Sequence, residues 1–176
     1  GPYGDFDNTV EGIAFKRDPK NHWIALFLNE LELRYDDLSD NSFFHFNFSI
    51  AAKDCVLNIN AFESIIHHNA GLHTELPGTI QIHHFPSILL LIQDFNSKFP
   101  WSQLKLDHET GVLTLTAHMS EEDSMKLSLK EKQKYFDIFI RNANTVFWEC
   151  MQIKHSFSLR MMRIAGKTDA DGLLLN

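Results

Sequence analysis

The stretch Phe43-Phe44-His45-Phe46-Asn47-Phe48-Ser49-Ile50 alternates large apolar residues with polar ones along most of its length. Successive side chains of an extended chain point to opposite sides, so Phe44, Phe46, Phe48 and Ile50 share one face and His45, Asn47 and Ser49 the other. One face must be covered while the other meets water, which is the pattern of an antiparallel sheet rather than a parallel one. Ala51-Ala52-Lys53-Asp54 can reverse the chain, after which Cys55, Leu57 and Ile59 alternate with Val56, Asn58 and Asn60. The pair reads as an antiparallel hairpin.

Working outward towards the N-terminus, Asp36 to Ser42 is a polar turn. Before it, Trp23, Ile24, Phe27, Leu28 and Leu31 recur at helical steps behind Pro19, with Asp18 as the cap. Residues 1 to 18 show no sustained period and read as an arm. Their first two residues, Gly1-Pro2, look like the remnant left when a tag is cleaved. Towards the C-terminus, Thr79 to His84 reads as a third short strand, reached through a long connection that includes Pro77-Gly78. Pro86 then opens a helix with Ile88, Leu91, Ile92, Phe95 and Phe99 on one face, the most apolar helix and so the one expected to be most buried. Leu104 and Leu106, the turn Asp107 to Gly111, and Leu113, Leu115 and Ala117 form a second hairpin.

Ser128-Leu129-Lys130-Glu131 has the spacing of a capping box, and the helix after it carries Leu129, Phe136, Phe139, Ile140, Ala143, Phe147 and Cys150 on one stripe to at least Cys150. Residues 151 to 176 are a basic and then flexible tail. The expected fold is α+β: one antiparallel sheet covered by helices on a single face, in a single domain spanning 19 to 150.

Composition agrees with one globular domain. The 176 residues are 44% hydrophobic and 22% charged, and the longest apolar run, Ile88 to Ile92, is too short to span a bilayer. Two cysteines, Cys55 and Cys150, are too few for a disulfide scaffold and suit a reducing cytoplasm. Charge is segregated: up to Glu149 there are 12 Lys+Arg against 21 Asp+Glu, whereas residues 151 to 167 hold Lys154, Arg160, Arg163 and Lys167 and no acid. An acidic body argues against nucleic-acid binding, which needs a basic face to neutralise phosphates.

Five of the ten histidines, His67, His68, His73, His83 and His84, fall close together and invite a metal reading, but their spacing is poor, because neighbours on a strand point apart. Both cysteines lie among core positions and read as small hydrophobes rather than nucleophiles. Glu121-Glu122-Asp123 reads as a solvated helix start. The glycines are scattered singly, so no phosphate loop is expected. No catalytic residue, metal or cofactor is expected.

The segments Phe95-Asn96-Ser97-Lys98-Phe99-Pro100, Leu104-Lys105-Leu106-Asp107, Val112-Leu113-Thr114-Leu115-Thr116-Ala117 and the Leu129 to Phe147 helix, taken in order, resemble the type III secretion chaperone-like fold, α-β-β-β-α-β-β-α. Within that group the chain looks most like the bacterial YbjN family, labelled sensory transduction regulators. The resemblance implies a non-enzymatic domain that dimerises and offers surface to another protein. The expected function is therefore a homodimeric, chaperone-like or regulatory module binding a protein segment through His45, Asn47, Ser49, Phe136, Phe139 and Phe147. The rival readings are an immunity-type inhibitor that blocks an enzyme with its acidic face, and a metal-dependent enzyme built on the histidine cluster.

Overall fold

Asp18 accepts a hydrogen bond from the Lys20 amide at 3.1 Å and starts a 3-10 turn at Pro19–Asn21. His22 then caps helix α1 (Trp23–Glu30), its Nδ1 accepting the Ile24 N–H at 3.2 Å. The computed structural model describes the backbone of residues 18 to 171 and the side chains of residues 18 to 166. The arm read at 1 to 18 lies outside the described residues except for Asp18. After α1 come β1 (Tyr35–Asp37), β2 (Phe43–Ala51), β3 (Val56–Ser64) and β4 (Ala70–Glu75). Helix α2 (Phe85–Lys98), strands β5 (Ser102–Leu106) and β6 (Leu113–Met119), the short α3 (Glu121–Lys126) and the long α4 (Leu129–Asp171) follow. The strands form one six-stranded antiparallel sheet in the order β1-β2-β3-β4-β6-β5.

Both hairpins stand where their alternation places them: Phe48 faces Ile59 across β2 and β3, and Leu104 faces Leu115 across β5 and β6. The third strand is not at Thr79–His84. Residues 82 to 84 form a 3-10 turn, and the strand is β4, inside the stretch read as connection. β4 buries Ala70, Leu72 and Thr74 on one side, small or polar residues that carry little apolar signal, and it is held by pairing on both edges. β1 lies within what reads as a turn, since Tyr35-Asp36-Asp37 is a strand only by leaning on Phe46 to Phe48.

Helices α1, α2 and α4 supply the buried side chains that meet the inner sheet face, where Phe46, Phe48, Leu57 and Ile59 are at most 2% exposed. α4 contributes Phe136, Phe139, Ala143, Val146 and Cys150, while Leu129 at its start is exposed. Its capping box forms in both directions, the Glu131 N–H donating to Ser128 Oγ and the Ser128 N–H to Glu131 Oε1. α4 continues past Cys150 to Asp171; Lys154 is still tied to the body through Thr79 O, whereas every described side chain from 158 to 166 is exposed. α2 is less buried than its composition suggests: Ile88 and Phe95 are interior, whereas Leu89 and Leu90 are 42% and 69% exposed. No helix among the described residues is long and apolar enough to cross a membrane.

Two local devices fix the frame. Gly111 takes φ +75°, and a Cβ there would lie 2.4 Å from the Ile80 carbonyl oxygen, where the Ile80 N–H also donates to Gly111 O at 2.7 Å. Both the left-handed backbone and the close approach exclude a side chain. Glu63, 7% exposed on β3, accepts hydrogen bonds from His22 Nε2 at 2.5 Å, Trp23 Nε1 at 3.2 Å and Ser124 Oγ at 3.1 Å. It thereby joins β3 to the start of α1 and to α3. Because His22 Nδ1 is taken by the cap, Nε2 is the nitrogen that donates to the carboxylate. Burial by itself would raise the Glu63 carboxyl. The hydrogen bond from His22, the charge of Lys132 and the Ser124 hydroxyl outweigh it and hold the group below its ordinary 4.5.

Replacing Gly111 by Ala is expected to cost about 2 kcal/mol or more, read as a lower urea midpoint; an unchanged midpoint would contradict the account of this turn. A carboxyl held low when folded stabilises the fold fully above its unfolded value and loses that contribution as pH falls through the folded one. Glu63→Gln is therefore expected to lower stability by about 2 kcal/mol at neutral pH, with the gap to the native chain closing on acidification below 4.5. A gap that stays constant from neutral to acidic pH would show that the Glu63 charge plays no such part.

Candidate partner-binding face

The residues that β2 turns away from the core lie on the face of the sheet that no helix covers among the described residues. The registers place one polar residue per strand in a single row across the sheet. Asp36 faces Asn47, Asn47 faces Asn60, Asn60 faces His73, His73 faces Thr116, and Thr116 faces Gln103. Beside this row Ser49 pairs with Asn58, and His45 with Phe62. In the middle of β2 and along β3 the inner residues Phe46, Phe48, Leu57, Ile59, Ala61 and Glu63 are buried, while the outer residues Asn47, Ser49, Asn58, Asn60 and Phe62 are half-buried or exposed, as a one-sided sheet requires.

The polar side chains are knitted together. Asn47 Nδ2 donates to Asn58 Oδ1 at 2.9 Å and to Asn60 Oδ1 at 3.1 Å. Asn58 Nδ2 donates to Asn47 Oδ1 and to Ser49 Oγ, both at 3.2 Å. The His45 ring lies 2.8 Å from Asn60 Oδ1 and stacks on Phe62 with centroids 4.3 Å apart. Such pairs fix the side chains in place, so a ligand meeting the face meets an ordered array of amides and imidazoles. Its chemistry suits hydrogen bonding to backbone and polar side chains. It offers no activated nucleophile.

Of the six residues singled out from sequence, His45, Asn47 and Ser49 stand together on this face. Phe136 and Phe139 do not join them: at 1% and 0% exposure they lie inside the core, and the surface role read for them fails for that reason. Their stripe is the one that seals the sheet, so the same periodicity that predicts the helix predicts their burial. Phe147 is half-buried beside Leu76, Ile80 and Leu113, against the helix-covered side. Sequence reasoning missed His73, Thr116 and Gln103, because their place in the row depends on β4 and on the β4–β6 pairing.

The sheet edges are less available than the face. At β5 the Asn96 side chain takes both backbone groups of Leu104, accepting its N–H at 2.8 Å and donating to its carbonyl at 3.0 Å. The Ser102 N–H is spent on Phe99 O. At the other edge β1 is three residues long and carries Asp36 and Asp37. Short, charged or covered edges resist strand addition.

The histidine cluster disperses. His73 lies on the open face and His67 and His68 in the turn after β3. His83 and His84 sit on the 3-10 turn with ring centroids 4.2 Å apart, closer than the strand reading allowed. Among the described residues no three His, Cys, Asp or Glu side chains converge as a metal site would require. Burial pushes the Cys150 thiol up to about 11, and burial followed by Asp54 raises Cys55, so neither favours thiolate. His22, Glu63 and Ser124 have the composition of a hydrolytic triad without its geometry, since histidine and serine both bond the carboxylate rather than each other.

No family model matches the chain, and no curated protein matches it. A chain in the crystal structure of the ExsC–ExsE complex is similar in structure, with a TM-score of 0.50 at 14% identity, over 71% of this chain and 88% of that one. A likeness at that identity is one of fold. Together with the element order and the one-sided sheet, it shows that the chain has an α+β fold of the type III secretion chaperone-like kind.

Proposed function

We propose that the chain is a non-enzymatic, chaperone-like protein-binding module that holds a segment of another protein on the open face of its sheet. The observation that carries this reading is the continuous polar row from Asp36 to Gln103, left without a covering helix among the described residues, whose β2–β3 part is preorganised by hydrogen bonds among Asn47, Asn58 and Asn60. Preorganised polar groups lower the ordering cost of binding. The similar fold found in a complex of two proteins supports the reading. A YbjN-like character belongs to the same proposal and rests on the Ile88 to Ala117 segment, as do a bacterial origin and a cytoplasmic setting.

The module acts as a homodimer in this reading. Ile82 at 77%, Leu89 at 42% and Leu90 at 69% exposure form an apolar surface around the start of α2, and a twofold contact is the commonest way such surface is covered.

Hydrogen exchange with a candidate partner encoded beside this chain is expected to protect Phe43 to Asn60. The pair of exposed changes Ser49→Lys and Asn58→Lys should weaken binding by about tenfold or more without unfolding the domain. Protection confined to the exposed end of α4, with affinity untouched by both changes, would overturn the assignment. For assembly, light scattering should give twice 20.4 kDa at tens of micromolar, and Leu90→Lys should return the chain to monomer mass. A native chain already at monomer mass would remove the homodimer from the proposal.

A further inference from the structure

Where α2 begins, its first turn lies against α4 and leaves a cleft of about 400 Å³ lined by His83, His84, Ser87, Gln152, Ser156 and Arg160, with Ile153 and Phe157 as apolar wall. The Phe157 ring gathers two imidazoles and a guanidinium around it. Its centroid is 4.7 Å from that of His83, 5.0 Å from that of His84 and 5.8 Å from Arg160 Cζ.

Three observations single the cleft out. No carboxylate lines it, although the whole chain carries a net charge of −7. His84 is only 6% exposed, yet its ring has no hydrogen-bond partner among the described residues and opens onto the cleft. At the N-cap of α2, a helix of 14 residues, His84 makes no side-chain cap, and Pro86 follows in the first turn. The His84 and Phe85 amides are spent within the 3-10 turn and Pro86 has none, so what the helix start adds to the guanidinium and the imidazoles is the positive end of its dipole.

We infer that this cleft is a binding site for a phosphate group. The donor count favours phosphate over a carboxylate. Two imidazoles, two hydroxyls, an amide and a guanidinium fork offer more donors than two carboxylate oxygens can accept, whereas a phosphate presents three or four oxygens and a second charge. Burial, then His83, then Lys154 hold the His84 ring below the usual imidazole range. Lys154 Nζ is anchored 3.0 Å from Thr79 O. An anion held by His83, His84 and Arg160 offsets that positive surrounding, so phosphate binding and protonation of His84 strengthen each other. The site is separate from the open sheet face and stands or falls independently of partner binding there.

Calorimetry of the full chain with inorganic phosphate, in a phosphate-free buffer near pH 6.5, is expected to show saturable binding of one phosphate per chain. The His84 titration midpoint, followed by NMR of the imidazole, should rise with phosphate and stay put with chloride at equal ionic strength. Arg160 is exposed, so Arg160→Gln tests the site without threatening the fold and should weaken binding by about tenfold. Phenyl phosphate distinguishes the source of the group: tighter binding than inorganic phosphate indicates an organic phosphate stacked on Phe157, and equal binding indicates the free anion. The inference is overturned if there is no saturable heat up to tens of millimolar phosphate, if Arg160→Gln binds as the native chain does, or if chloride moves His84 equally.

Discussion

Phe136 of α4 packs between Phe27 of α1 and Phe48 of β2, with ring centroids 5.4 Å and 5.6 Å away. Three elements far apart in sequence meet at this one side chain, and the rest of the architecture follows from it. With α1 and α4 joined to the same side of β2, Phe46, Leu57 and Ile59 must face them, and His45, Asn47, Asn58 and Asn60 must face away. A slip of one residue in β2 would carry four apolar residues to the polar side and bring His45 and Asn47 beneath Phe136. The polar face therefore exists because the aromatic seam fixes the register.

The buried Glu63 cluster acts at the other end of the same frame. A carboxylate at 7% exposure is costly unless every partner is present. Its partners come from the cap of α1 and from α3, so α1 cannot leave the sheet without stranding a charge. The apolar seam supplies adhesion, and the carboxylate penalises misplacement. Gly111 adds a third fixed point, locking the turn before β6 against Ile80 and thereby setting the path into the 3-10 turn that carries His83 and His84.

Much of this was legible in the chain. The two hairpins read directly because Phe, Leu and Ile alternate with polar residues without interruption, and the capping box at Ser128 marked the start of α4. β4 was illegible because Ala70-Gly71-Leu72-His73-Thr74-Glu75 fills its inner positions with Ala and Thr beside a single leucine; its strand character comes from two neighbours, not from its own pattern. Half of the candidate site was hidden for the same reason, since His73, Thr116 and Gln103 join the row only through β4. Phe136 and Phe139 failed as surface residues because an aromatic on an amphipathic stripe serves the core first. Leu89 and Leu90 were the reverse case: α2 is apolar on more than one face, and one sheet face can accept only one of them.

The placement of Asn96 bears on how a segment could be recognised at all. An open sheet offers two routes, addition of a strand at an edge and contact with a face. Edge addition relies on unpaired backbone groups. Here the carboxamide of Asn96 mimics a neighbouring strand at Leu104, and Phe99 takes the Ser102 amide, so the β5 edge is already answered by α2. At β1 the edge is short, and a strand added there would bring its own backbone alongside Asp36 and Asp37. In the proposed partner-binding role what is left is the face, where recognition would depend on side-chain amides at positions set by the registers. Under that proposal such a face would read the spacing of polar groups along a segment more than the identity of its apolar residues, and a suited partner would lie across the strands rather than extend the sheet.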